Sequence, residues 1–388
     1  MERVDVVVVG AGIAGASVAY FLARAGVKDV LVLDRTGVAT GASGRSSGVV
    51  AWNNPLVGAH PGSAALFKAA ADFYRDWPTE IGGEPVIMPM GCLDLTPASG
   101  RAALERSVAI MRAAGHETRI LDRFAIAGLV PEWNLDDIAV ASSSPSSGYI
   151  EPRTVTTALM QRAQDLGARI HQLAEVTKVR TWNGKVVGVD SAHGPIDAPV
   201  VVLAGGAWTA SLGRLAGVAL PIRPLRHQVL VLKPPAGIRT PFPNCLDYQN
   251  GIYFRSAGEN TVVAGNCTAI EDDPHEPPPD PDRFDPSPAS WYEHWILSRL
   301  ARRIPGMREA AVVGGGAGVF AVSSDEFPVL GPVGEAEGLY CVADTGGYGM
   351  TCSPGLGRAL AETIVNGSTF TDITPFIPSR FAEGRPVV

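Results

Sequence analysis

The chain has 388 residues, of which 46% are hydrophobic and 18% are charged, and its formal net charge is −7. This composition is typical of a soluble globular protein large enough for two domains, and the acidic balance argues against a nucleic-acid or anionic-membrane partner. Five scattered cysteines form no CxxC pair, so we expect neither a disulfide framework nor a bound metal. The first predicted strand begins at Val4 and is too short to span a bilayer, so we expect a cytoplasmic protein without a membrane span.

The first 34 residues predict a dinucleotide-binding strand–turn–helix–strand unit. The apolar run 4–9 leads into Gly10, Gly12 and Gly15, and the second apolar strand ends at Asp34. In such a motif the glycines permit the tight turn, the approach of a pyrophosphate and the close packing of helix on strand. The helix start offers N–H groups to phosphate, and Asp34 can accept hydrogen bonds from ribose hydroxyls. An ordinary turn between strand and helix is the alternative interpretation.

Small residues follow at 40–48 as TGASGRSSG. Their hydroxyl and N–H groups suit a phosphate or the hydroxylated chain of a flavin, although a flexible surface loop would have a similar composition. The pattern then predicts helices and strands in chain order, as follows: helices at 63–77, 101–114 and 151–167, strands at 169–173, 176–180 and 186–190, and a buried strand at 199–204 that ends in Gly205, Gly206 and Trp208.

After residue 220 the sequence alternates between apolar and polar residues, which is typical of an antiparallel sheet with one exposed face. The predicted elements are strands at 226–233, 251–255, 261–265, 312–322 and 339–343, a helix at 290–304 with Trp291, Trp295 and Leu300 facing the core, and a final helix that starts at Ser353-Pro354. Residues 271–288 are rich in Pro and Asp and are interpreted as a solvated loop, in which His275 has no metal role.

Several segments together resemble the D-amino-acid oxidase superfamily of flavoenzymes, in particular the branch of sarcosine oxidases, dimethylglycine oxidases and proline dehydrogenase β-type subunits. They are the N-terminal VVVVGAGIAGASVAYFLARAG, the TGASGRSSG loop, VVLAGGAW at 201–208, SSDEFPVLGPV at 323–333 and DTGGYGMTCSPGLGRALAETI at 344–364. The resemblance implies an α/β fold in which a discontinuous, Rossmann-like FAD-binding domain adjoins an α+β substrate domain with an antiparallel sheet. The implied division assigns 1–84, 146–220 and 321–388 to FAD, and 85–145 and 221–320 to substrate.

The resemblance also implies FAD rather than NAD as the cofactor, because simple NAD domains have no counterpart of the turn at 346–351. In relatives this turn lies against the flavin ring, where a helix N-terminus favours the negative charge of the reduced ring. The implied cofactor-binding residues are Gly10, Gly12, Ile13, Ala14, Gly15, Asp34, Arg35, Ser43, Gly44, Arg45, Ser46, Ser47, Gly48, Val176, Gly205, Gly206, Trp208, Gly347, Tyr348, Gly349, Met350 and Thr351.

Three positions depart from the pattern of the relatives. Where several of them carry a carboxylate-binding Arg this chain has Phe320, and where monomeric sarcosine oxidases carry a carboxylate-binding Lys it has Thr351. The covalent cysteine of those oxidases corresponds to about Gly318, so we expect non-covalent FAD.

A substrate carboxylate would therefore need another cation. Arg255 shares a strand face with Tyr253 and could bind a carboxylate bidentately, although a surface or ion-pair role is the commoner one for such an Arg. Arg226 and His227 open another strand, and His227 is a candidate base or a core histidine. Two further candidates are His60 and Tyr348, the second of which is expected to form a wall of the site.

The expected activity is FAD-dependent oxidation of a C–N bond in an amino acid or a related secondary or tertiary amine, followed by hydrolysis of the imine. The expected electron acceptor is O2, a protein or a quinone. A modified amine without a carboxylate is a variant of this hypothesis. The alternatives are an FAD subunit that works with a hetero-oligomer partner, and a non-catalytic FAD-binding relative. A monooxygenase is disfavoured because no second GxGxxG turn for a nicotinamide is present.

Overall fold

The fold is taken from a computed structural model of the chain, in which residues 2–267, 280–334 and 336–387 are described. His275 lies outside these residues. The helices are α1 (Ile13–Arg24), α2 (Pro55–Ala59), α3 (Pro61–Arg75), α4 (Trp77–Glu80), α5 (Arg101–Ala113), α6 (Arg123–Leu129), α7 (Pro152–Asp165), α8 (Thr209–Leu215), α9 (Ser290–Arg303), α10 (Gly349–Asn366) and α11 (Ser379–Ala382).

The strands are β1 (Glu2–Arg3), β2 (Val6–Val9), β3 (Val30–Leu33), β4 (Val49–Val50), β5 (Met88–Pro89), β6 (Cys92–Thr96), β7 (Arg119–Asp122), β8 (Val140–Ser144), β9 (Gly148–Tyr149), β10 (Arg169–His171), β11 (Val176–Trp182), β12 (Lys185–Ser191), β13 (Gly194–Asp197), β14 (Val200–Leu203), β15 (Ile222–Lys233), β16 (Asn244–Asp247), β17 (Ile252–Ser256), β18 (Val262–Asn266), β19 (Ala311–Ser323), β20 (Val329–Pro332) and β21 (Leu339–Ala343). No helix within the described ranges is long and apolar enough to cross a membrane.

A six-stranded sheet with the order β10-β3-β2-β14-β21-β20 forms one half of the molecule, and only the β20–β21 pair in it is antiparallel. Its central strands are apolar along their whole length because both faces are covered. Helices α1, α3, α7 and α10 cover one face, and α8 with the four-stranded sheet β1-β13-β12-β11 covers the other.

An eight-stranded sheet with the order β19-β15-β18-β17-β16-β6-β8-β7 forms the other half. Its strands fall within 92–144 and 222–323, so β19 runs three residues past the predicted domain boundary, and the division into domains stays a prediction. The sheet is antiparallel as expected, except for β16 and β6, which run parallel. These two strands are far apart in the sequence, so no hairpin fixes their relative direction. Helices α6 and α9 cover one face of the sheet, and the other face is turned toward the six-stranded sheet.

Helix α9 matches its prediction in extent but not fully in orientation. Its most deeply buried residues are Tyr292, Ile296, Leu300 and Arg303, whereas Trp291 and Trp295 are only partly buried beside the core. The predicted face is therefore rotated slightly, because these two tryptophans cover the edge of the core and the smaller side chains fill it.

The final helix begins five residues earlier than the sequence indicated. Its N-cap is Tyr348 and its first residue is Gly349, so Pro354 lies inside the helix and Ser353 does not cap it. A proline there removes the N–H that would bond the carbonyl of Met350. The hydroxyl of Tyr74 donates to that carbonyl at 2.7 Å instead, which allows the helix to continue through the proline.

Candidate functional site

A cavity of about 1010 Å³ lies between the two halves. Its lining includes the carboxyl ends of β2, β3, β14 and β21 on one side and parts of β15, β17 and β19 on the other. The carboxyl edge of a parallel sheet is where such folds bind nucleotides, because loops and helix N-termini converge there. The cavity is therefore the candidate cofactor and substrate site.

The first glycine turn shapes the nucleotide end of this cavity. Gly10 has a φ of +116°, and a Cβ at this position would overlap the carbonyl oxygen of Ala204, so only glycine fits. Gly12 precedes α1 without a side-chain cap, and the N–H of Ile13 donates to the hydroxyl of Ser43 at 2.9 Å. The helix N-terminus and a hydroxyl thus meet where a diphosphate is expected.

Asp34 lies at the edge of the cavity and is held by backbone N–H groups. Its carboxylate accepts hydrogen bonds from Ala11, Thr36 and Gly37, each at 2.8 Å. These bonds fix one carboxylate at the end of β3, beside the glycine turn. Asp34 is thus oriented by the protein before any ribose hydroxyl reaches it.

Arg35, Trp208 and Asp282 form a cluster at the same end of the cavity. The Arg35 guanidinium lies 4.3 Å from the centre of the Trp208 ring and makes a 2.5 Å ion pair with Asp282. The indole Nε1 of Trp208 also donates to Asp282, at 2.9 Å. The hydrogen bond from Arg35 lowers the pKa of Asp282, so this carboxylate stays ionised.

The turn before α10 forms the opposite wall. Asp344 accepts the N–H of Ser323 at 2.5 Å and that of Gly346 at 2.7 Å, which connects this turn to the end of β19. Burial raises the pKa of Asp344 to about 6. The hydroxyl of Tyr348 forms a 2.7 Å hydrogen bond with that of Tyr248. Since the first N–H groups of a helix have no intrahelical acceptor, α10 presents partial positive charge to this wall.

Most of the predicted cofactor residues line the cavity, but four do not: Gly15, Gly44, Gly48 and Thr351. A Cβ at any of the three glycines would overlap a backbone carbonyl oxygen of a neighbouring segment. Thr351 is buried and its hydroxyl donates to Val49 at 3.3 Å. These residues pack behind the cavity wall, and their direct contact with the cofactor stays a prediction.

Arg255 is likewise absent from the residues that line the cavity, and its guanidinium is already engaged. Its Nε donates to Ser47 at 2.8 Å and its Nη1 to Ser256 at 3.1 Å, while the Tyr149 ring lies 4.1 Å away. The side chain is 6% exposed. The hypothesis that Arg255 binds a carboxylate is therefore not supported by its position, and the structure shows it holding the 40–48 loop instead.

Tyr253 and His227 do lie together on the cavity wall. Their rings are parallel to within 6° at 5.9 Å, and the Tyr253 hydroxyl is 3.5 Å from His227 Nε2. Phe320 meets the His227 ring edge-on at 5.8 Å. Burial lowers the pKa of His227 to about 4 and raises that of Tyr253 to about 12, so both are neutral near pH 7.

Two other candidates lie away from the cavity lining. The Nδ1 of His60 accepts the N–H of Gly62 at 3.0 Å and so caps α3. Arg226 donates to the carbonyls of Asp285 and Ser287, at 3.2 and 2.6 Å. Neither residue is placed for contact with substrate.

Sequence reasoning missed several lining residues, namely Leu246, Asn266, Cys267, Asp282 and Phe284. The last two belong to the stretch interpreted as a solvated loop, whose described part, from residue 280, is indeed a largely exposed loop; the pairing of Asp282 with Arg35 was not predicted. Asn266 directly follows the predicted strand 261–265, so the alternation of that strand could have indicated it. No strand was predicted around Leu246, and composition carries no signal for the others.

Comparison with known proteins agrees with this geometry. A family model described as FAD dependent oxidoreductase matches residues 5–363. FAD-dependent oxidoreductase domain-containing protein 1 of Bos taurus is 28% identical, over 99% of this chain and 86% of its own length. Glycine oxidase of Geobacillus kaustophilus is 25% identical over 98% of this chain and 97% of its own. The solved structure of L-proline dehydrogenase from P. horikoshii superposes with a TM-score of 0.88, covers 99% of both chains and is 23% identical.

Proposed function

Because the chain belongs to the family of FAD-dependent oxidoreductases and FAD is its cofactor, we propose that it oxidises a C–N bond of an amino acid or of a related secondary or tertiary amine. The observation that carries this proposal is a single cavity in which the nucleotide-binding edge of one sheet faces an aromatic wall on another. Relatives named as glycine oxidase and human mitochondrial sarcosine dehydrogenase support the choice of bond; the second is 26% identical, and the match covers 41% of its length.

The residues present fit FAD. The cradle at Gly10 has no room for a side chain, and the α1 N-terminus with Ser43 offers donors to a diphosphate. Asp34 offers a fixed carboxylate to a ribose, and the first residues of α10 line the other end of the cavity. With a glycine at position 318 no thiol stands there, which supports non-covalent binding.

When bound, FAD supplies the acceptor for a hydride from the carbon next to nitrogen, and O2 or another acceptor then takes the electrons. The protein's contribution is to orient that carbon and to exclude water. The neutral His227 and the Tyr253 hydroxyl offer a hydrogen-bond acceptor and a donor to the amine. Because His227 stays unprotonated, an amine is bound beside it without repulsion from an imidazolium.

Anaerobic mixing of the yellow protein with a panel of amines tests this function. The panel contains sarcosine, dimethylglycine, proline, glycine, pyrrolidine and N-methylbenzylamine, and the flavin absorption is followed in time. We expect at least one of them to bleach the flavin. A protein that dithionite reduces but that no amine bleaches, with or without added quinone, would contradict the proposal.

A matched pair of variants tests whether the Tyr253 hydroxyl takes part in the reaction. Tyr253→Phe removes the hydroxyl beside His227, whereas Tyr340→Phe removes one from β21 outside the cavity lining. We expect slower reduction only in Tyr253→Phe. Equal rates in both variants would show that this hydroxyl has no part in orienting the amine.

A further inference from the structure

The part of the cavity formed by the eight-stranded sheet carries no charged side chain among the described residues. The lining residues from this sheet are apolar, aromatic or neutral, and they are Leu225, His227, Val229, Leu246, Tyr253, Asn266, Gly318, Val319, Phe320, Ala321 and Val322. The pKa of His227, lowered to about 4 by burial, keeps even this residue uncharged at neutral pH.

Two arginines near this wall, Arg255 and Arg45, already contact other protein groups. Arg255 holds the carbonyls of Ser47 and Ser256. Arg45 lines the cavity beside Gly318, where its Nη1 points at the Ala317 carbonyl at 3.4 Å and its guanidinium lies 5.5 Å from the centre of the Phe284 ring. A carboxylate at the aromatic wall would therefore compete with these contacts for either guanidinium.

The remaining charges of the cavity also favour a cation over an anion. Its described basic lining residues are Arg35 and Arg45, of which Arg35 is paired with Asp282. The acidic ones are more numerous, and they are Asp34, Glu175, Asp282, Glu326 and Asp344. A bound FAD adds its own diphosphate charge to the negative side.

The aromatic rings of this wall attract ammonium groups and apolar surface, and they offer no such attraction to a carboxylate. His227 and Tyr253 stack, Phe320 stands edge-on to His227, and Tyr348 lines the wall formed by the turn before α10. Faces of such rings attract an ammonium and accept apolar surface, whereas an anion buried against them loses its hydration without a partner.

Because this wall is uncharged and aromatic, we propose that the substrate is an amine with an apolar or aromatic body and no carboxylate on the reacting carbon. This inference rests on the proposed oxidation of a C–N bond and names the class of amine. The amine nitrogen lies at Tyr253 and His227, and the body of the substrate packs on Phe320.

The test uses two ligands that have no hydrogen on the carbon bearing nitrogen and so bind without being oxidised. They are 2-phenylpropan-2-amine and α-methylphenylglycine, which differ only in a methyl group against a carboxylate. Each is titrated into the FAD-loaded protein, and the shift of the flavin spectrum gives the dissociation constant. We expect the amine to bind at least tenfold more tightly. Equal binding, or tighter binding of the amino acid, overturns the inference.

A cation placed in the wall should reverse this preference. Phe320→Arg is expected to bind α-methylphenylglycine more tightly than the amine, whereas Val313→Arg is expected to behave as the parent protein does. Val313 lies on the same strand but is 60% exposed and away from the cavity. Leu225→Lys, across the β15–β19 ladder from Phe320, serves if Phe320→Arg fails to fold. An unchanged preference in a folded, FAD-loaded cavity variant counts against the inference.

The result is separable from that of the proposed function. If sarcosine or proline bleaches the flavin and α-methylphenylglycine binds tightly, C–N oxidation stands and this inference fails. If 2-phenylpropan-2-amine binds selectively and no amine in the panel bleaches the flavin, the binding preference stands and the proposed reaction fails.

Discussion

Alanine substitutions at two adjacent glycines in the turn before α10 distinguish the cost of a strained backbone from the cost of steric overlap. Gly346 and Gly347 have φ values of +55° and +78°, so alanine at either position would be strained, by about 1–2 kcal/mol. A Cβ on Gly347 would lie 3.8 Å from the Phe320 ring, which is an ordinary contact. A Cβ on Gly346 would overlap the Leu56 side chain and lie 2.6 Å from the Glu326 carbonyl oxygen. Such overpacking adds about 1–3 kcal/mol.

We therefore expect Gly346→Ala to lose about 2–5 kcal/mol of folding free energy and Gly347→Ala only about 1–2 kcal/mol. Thermal unfolding of the FAD-free proteins, followed by circular dichroism, measures this difference without interference from the cofactor. FAD titration of the apoproteins then reports the effect on the turn itself, and Gly346→Ala should bind more weakly because Glu326 must move. Equal melting temperatures for the two variants would refute the reasoning, since strain alone would then account for both.

Three further changes have definite expected outcomes. Tyr74→Phe leaves the Met350 carbonyl buried without its donor and should lower the free energy of unfolding, measured by denaturant titration, by about 1–3 kcal/mol. Arg380→Met strands the Asp325 carboxylate, which the guanidinium now binds at 2.8 and 2.9 Å, and should cost about 3–5 kcal/mol in the same measurement. For His227, burial lowers the pKa to about 4 against 6.5 in the unfolded chain, so the unfolded chain binds this proton first and stability falls from pH 6.5 to 4. In His227→Gln this part of the acid sensitivity should be missing from melting curves of the FAD-free protein.

Each of these outcomes has a result that would contradict it. A Tyr74→Phe protein as stable as its parent would mean that water reaches the carbonyl. Arg380→Met and the Arg380→Met/Asp325→Asn double variant should differ, because the second removes the stranded charge; identical midpoints would mean that the charge is solvated. If the parent protein and His227→Gln have parallel profiles between pH 4 and 6.5, the imidazole is accessible to protons in the folded state.

The nucleotide half could be predicted in some detail because its signals are local. Gly10, Gly12 and Asp34 lie in one short stretch of sequence, and the backbone conformation that each needs follows from its residue type. The flavin turn was recognised through resemblance, yet the start of its helix was misplaced at Ser353-Pro354. The reason is that a hydroxyl from Tyr74, distant in the chain, compensates for the proline inside the helix.

The substrate half was harder to predict because its contacts are distant in sequence. Period-two alternation correctly placed Tyr253 and Arg255 on one face of a strand. It could not show that the 40–48 loop would take the guanidinium, since Ser47 is 208 residues away. The pairing of Asp282 with Arg35 crosses a similar gap, and no composition rule distinguishes a paired surface acid from an unpaired one.

Strand β19 connects the aromatic wall with the turn before α10. It carries Phe320 on the aromatic wall, and three residues later the N–H of Ser323 is held by Asp344, whose other oxygen fixes the turn at Gly346. A ligand that shifts Phe320 therefore pulls on the same hydrogen bonds that set the start of α10. Because coupling between two bound molecules is reciprocal, any change that amine binding makes in the affinity for FAD equals the change that FAD makes in the affinity for the amine.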